Sequence, residues 1–66
     1  MTRKHPTKAA WADAQADDYF ERARTLKQQA SGGYAQAARK ADQVRHLERE
    51  AGRYRTMAVR YRARGL

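Results

Sequence analysis

The sequence has no cysteine, one proline, four glycines and no long apolar run. Without cysteine no disulfide can form. His5 and His46 stand alone, so no Cys/His cluster offers a zinc site. No stretch approaches the roughly 20 apolar residues of a membrane span. The opening Met1-Thr2-Arg3-Lys4-His5-Pro6-Thr7-Lys8 is basic but has no apolar core behind it, unlike a secretory signal. There is no Ser/His/Asp set, no phosphate-cradling glycine loop and no second ligand near either histidine, so the expectation is a non-enzyme without metal or cofactor. These absences leave helix packing or self-association to stabilise 66 residues. Lack of cysteine and of a signal fits a cytoplasmic protein. Abundant Ala and Arg beside few Lys is what a high-GC bacterial or phage genome encodes.

Acidic residues are scarce as well. Seven Asp and Glu face fifteen Lys and Arg, a formal charge of +8. That balance points to an anionic partner: nucleic acid, DNA or RNA, or an acidic protein. A membrane surface is disfavoured, because the available apolar stripe is built of Ala and Tyr.

What the chain does contain is helical periodicity. Ala9, Ala12, Ala16, Tyr19, Ala23, Leu26 and Ala30 recur at alternating gaps of three and four, which places them on one helix face. Acids (Asp13, Asp17, Asp18, Glu21) precede bases (Arg22, Arg24, Lys27), an order that suits the helix macrodipole. Asp18 and Arg22 form an i,i+4 pair. Pro6 suits a first helical turn, with Thr7 as an alternative N-cap. Ser31-Gly32-Gly33 breaks the pattern, and a glycine there can supply the left-handed residue that ends a helix. A second stripe then runs through Tyr34, Ala37, Ala41, Val44, Leu47, Ala51, Tyr54, Ala58, Tyr61 and Gly65. Gly52 admits a third short helix from Arg53, but the unbroken phase favours one continuous helix.

The expected fold is therefore all-α: an antiparallel two-helix hairpin with an Ala-rich coiled-coil seam. Its parts are a flexible basic tail over 1–6 and a single domain over 7–66. Within that domain helix 1 covers about 7–31, the turn 31–33 and helix 2 about 34–64. Ala9, Ala16, Ala23 and Ala30 sit seven residues apart, as do Ala37, Val44, Ala51, Ala58 and Gly65, so two helices can approach closely. Centring the turn on Gly32 sets Ala23 near Ala41, Ala16 near Glu48 and Ala9 near Arg55, with the last two turns of helix 2 overhanging. Trp11 and Phe20 lie about a right angle to either side of the stripe, more than one partner helix covers. A homodimer forming a four-helix bundle would cover both, and a heterologous partner would do so equally well.

Helix 2 carries Arg45, Arg49, Arg53, Arg55, Arg60, Arg62 and Arg64, and from Arg53 onward there is no acid. Arginine grips phosphate in bidentate fashion and tyrosine can stack on bases, which makes this ridge the candidate nucleic-acid site. The candidate apolar interface is Trp11, Tyr19, Phe20, Leu26, Val44, Leu47, Tyr54 and Tyr61. The expected function is non-specific nucleic-acid binding. The alternative is an adaptor whose basic face meets an acidic protein while Trp11 and Phe20 dock on apolar surface. Asp13, Asp17 and Glu21 form an acidic row, read as solvated surface or as a match for the Arg face of another copy. Gly32-Gly33-Tyr34-Ala35-Gln36-Ala37 resembles the G-x-Y-x-x-A turn of tetratricopeptide repeats over six residues. Glu21 and Arg24 stand where that repeat carries Trp and Leu, and both helices are longer than the repeat's.

Overall fold

A computed structural model describes residues 5–30 and 32–66. They form α1 (Lys8–Gln28) and α2 (Tyr34–Ala63), packed against each other with no strand among the described residues. Residues 1–4 of the expected tail and Ser31 of the expected turn lie outside them.

Thr7, in extended backbone, caps α1: its Oγ1 accepts a hydrogen bond from the Ala10 N–H at 3.0 Å, and Pro6 stays outside the helix. The helix ends three residues earlier than the sequence pattern suggested. Gln29 is already extended (φ −74°, ψ 139°), its N–H reaching the Leu26 carbonyl at 3.2 Å, so Ala30 leaves the stripe and is exposed. The glycine pair does not supply a left-handed residue. Gly33 is extended, and the positive φ among the described residues belongs to Gly65 at 76°. There the Leu66 N–H bonds the Tyr61 carbonyl at 2.8 Å and the Gly65 N–H that of Arg62 at 3.1 Å, which is the Schellman closure that stops α2. Between its ends α2 is continuous through Gly52, so no third helix forms.

The helices run antiparallel in a register different from the expected one. The Ala9 N–H donates to the Leu66 carbonyl at 3.3 Å, Arg62 pairs with Asp13 at 2.5 Å and Lys27 with Glu48 at 2.8 Å. Ala9 thus meets Leu66 rather than Arg55, a slide of about three helical turns. The slide has a packing reason. It sets Ala16 level with Ala58 and Ala23 level with Ala51, whereas the expected register put Glu48 and Arg55 opposite alanines in the seam. Extended backbone at Gln29 and Gly33 advances about 3.3 Å per residue against 1.5 Å in a helix, so a short connection can climb to the raised start of α2. The ammonium of Lys40 donates to the Gln29 carbonyl and ties that connection to α2.

The overhang is consequently at the other end. The final turns of α2 cover the first turn of α1, while Tyr34 is 94% exposed and residues 35–39 have no cover. The core consists of Ala9, Ala12, Ala16, Ala23, Val44, Ala51 and Ala58, and no large side chain is fully buried. Leu26, Leu47, Tyr19, Tyr54, Met57 and Tyr61 are half-buried along the seam's edges. Small side chains let two backbones approach, but each removes little apolar area from water, at ~25 cal/mol per Å². Among the described residues no helix is long and apolar enough to cross a membrane.

Candidate nucleic-acid interface

The phase of α2 sorts its arginines into an inner and an outer set. Arg55 and Arg62 flank the seam and turn toward α1. The Arg55 guanidinium bridges Asp13 at 2.9 Å and Asp17 at 2.8 Å, and its carbon lies 5.8 Å from the Phe20 ring centroid. Arg62 closes on the second oxygen of Asp13. The hydrogen bond from Arg62, with a further one from Arg55, holds the Asp13 carboxyl below its ordinary value, although partial burial opposes this. The bonds to Asp17 and then Asp13 raise Arg55 above the usual guanidinium value. Asp13 and Asp17 of the acidic row thus meet arginines of their own chain. Among the described residues no group of acids and histidines could hold a metal ion.

The outer set is Arg49, Arg53, Arg60 and Arg64, whose spacing of four, seven and four keeps them on the face turned away from α1. From Arg49 to Arg64 this ridge spans roughly 22 Å. Arg53 pairs locally with Glu50 at 3.1 Å, and beside the ridge Arg45 pairs with Asp42 at 3.1 Å, both at i,i+3. Among the described residues no carboxylate lies within ion-pair distance of Arg49, Arg60 or Arg64, and all three are exposed.

The predicted apolar interface also divides. Val44 is buried in the seam, and Tyr19, Leu26, Leu47, Tyr54 and Tyr61 are half-buried beside it. Trp11 and Phe20 stay 38% and 40% exposed. α2 touches both without covering either: Trp11 meets Tyr54 edge-on at 5.7 Å, and the Arg55 guanidinium lies beside Phe20. On the Trp11 flank Tyr54 also stacks on Tyr19 (5.6 Å, 11° between planes). Arg22 lies over Tyr19 at 5.4 Å and the Lys8 ammonium over Tyr61 at 6.0 Å. Lys8 belongs to this cluster although nothing in the spacing singles it out, whereas Arg22 is marked in sequence only by its i,i+4 pairing with Asp18. The two flanks differ in charge. Around Phe20 a groove is lined by Asp17, Glu21, Arg24, Lys27, Glu48 and Arg55, of both signs. Around Trp11 a groove is lined by His5, Pro6, Thr7 and Lys8, with no carboxylate.

Comparison of the chain with protein-family models, with curated proteins and with solved structures finds no match.

Proposed function

We propose that this hairpin binds nucleic acid through the phosphate backbone, without reading base sequence, along the outer ridge Arg49, Arg53, Arg60 and Arg64. The observation that supports it most is that Arg49, Arg60 and Arg64 have no internal counter-charge among the described residues, while the seam's own ion pairs engage Arg55 and Arg62. A guanidinium freed from local partners can take a phosphate in bidentate fashion. The ridge replaces the seven-arginine site expected from sequence, with Arg45 at its margin. In a titration of mixed-sequence duplex at increasing salt, affinity should fall linearly on logarithmic axes. Each of Arg49, Arg53, Arg60 and Arg64 changed to Ala should lower the slope by about one. Absence of binding at low salt would remove this reading and favour the adaptor, in which the same ridge meets an acidic protein.

Self-association into a four-helix bundle belongs to the same proposal. Its support is the core's lack of any fully buried large side chain, together with Phe20 and Val59 left 40% and 58% exposed. The flank around Phe20 carries both signs of charge, so it can be complementary to a copy of itself across a two-fold axis. Light scattering tests it: the mass should be that of two chains, and a single-chain mass at high concentration would refute it.

A further inference from the structure

The groove beside Trp11 joins a partly exposed indole to side chains of which none is a carboxylate. Trp11 is 38% exposed and lines a shallow groove with His5, Pro6, Thr7 and Lys8. Its contact with Tyr54 is edge-on at 84°, so the two rings do not cover each other as stacked rings do. The three tyrosines of the seam are less available. Tyr19 and Tyr54 stack on one another, and Tyr61 has the Lys8 ammonium over it. Lys8 and Trp11 are i,i+3 neighbours on α1 with Cβ atoms about 5–6 Å apart, so the Lys8 ammonium, resting over Tyr61, can swing to the Trp11 side on its flexible stem. Two nearby backbone donors are already engaged, Ala9 N–H by the Leu66 carbonyl and Ala10 N–H by Thr7 Oγ1.

We infer that this groove takes an unpaired nucleobase, stacked on Trp11, with its phosphate held by Lys8, and that the preferred substrate is therefore single-stranded nucleic acid. The inference rests on the phosphate-binding reading above and adds strand class to it. Its argument is charge complementarity joined to shape. A nucleotide presents a flat π surface and, a few ångströms away, an anion, and the groove presents an indole and an ammonium with no carboxylate to repel it. A base inside a duplex cannot reach Trp11, because both its faces are already stacked. The path to the ridge is short. Lys8 reaches over Tyr61, and Tyr61 neighbours Arg60 and lies one turn from Arg64.

Trp11 is the only tryptophan, so the intact chain carries its own probe. Its fluorescence should be quenched on titration with a short oligothymidylate and remain unchanged with a duplex of mixed sequence. Affinity for the labelled oligothymidylate, read by anisotropy, should drop by ~5- to 150-fold in Trp11→Ala, the range of one lost base stack. Duplex affinity should stay as it was. Trp11→Phe, which keeps a ring in place, should retain most of the binding, and unchanged helicity by circular dichroism would separate lost stacking from unfolding. Lys8→Gln should weaken the single-strand complex by a smaller factor. Duplex binding through the ridge together with an oligothymidylate that neither quenches Trp11 nor senses its removal would overturn this inference and leave the ridge standing. No binding of either nucleic acid would overturn both.

Discussion

Arg55 and Arg60 stand five residues apart on one helix and do different work. Arg55 faces α1, held between two carboxylates at 2.8 and 2.9 Å, whereas Arg60 faces away with no carboxylate near it among the described residues. Half a helical turn of phase separates a charge paired across the seam from one that faces away from α1. The same contrast runs along α2 as a whole. Its C-terminal half is packed on α1 through Ala51 and Ala58, while its first turns project past the end of α1 with Tyr34 bare. The arginines of α2 therefore form two populations, one paired with carboxylates of α1 and one turned away from it.

Substitutions can break or sharpen that contrast. The largest stability effect should come from overfilling the packed half. Ala58→Leu, at a position with no exposure, should cost about 1–3 kcal/mol in chemical denaturation, while Ala37→Leu in the overhang should stay within ~0.5 kcal/mol. Equal effects at the two sites would contradict the observed register. Next comes Gly52→Ala. Gly52 lies inside α2 where an added Cβ meets nothing within 4 Å, so the change should stabilise by about 1 kcal/mol and raise the melting temperature. A loss of stability would mean that α2 is broken there.

The smallest effect is the titration of Asp13. Its carboxyl is held below the ordinary 3.8, first by the hydrogen bond from Arg62. A depressed folded pKa gives stability that is complete above the unfolded value and is lost as pH falls through the folded one. Melting temperature should therefore decline as pH drops below about 4, and Asp13→Asn should flatten that decline while lowering stability at neutral pH. An unchanged acid limb in Asp13→Asn would remove the pair from the account.

The two stripes could be read directly, because Ala9 to Leu26 and Val44 to Tyr61 repeat at gaps that only a helix brings to one face. The seventh-residue alanines were legible for the same reason, and the structure buries Ala9, Ala16, Ala23, Ala51 and Ala58. The register is not legible from the glycine pair, which suggests a tight corner. Gly33 turned out to be extended, and the connection climbs instead of folding back at once. Matching the two alanine repeats to each other supplies the register, since small residues pack best against small residues. The split among the arginines depends on that register. Only with Asp13 placed beside Arg62 does Arg55 become part of the seam.

The most direct test exchanges the two populations of arginine. Arg55→Gln with Arg62→Gln, and Arg60→Gln with Arg64→Gln, would each be measured for thermal stability and for duplex affinity at low salt. The inner pair should lower the melting temperature and leave the salt slope of binding nearly unchanged, while the outer pair should lower that slope by about two and leave melting unaffected. If the inner pair weakened binding as much as the outer, or the outer pair destabilised the fold as much as the inner, the division of labour along α2 would be wrong.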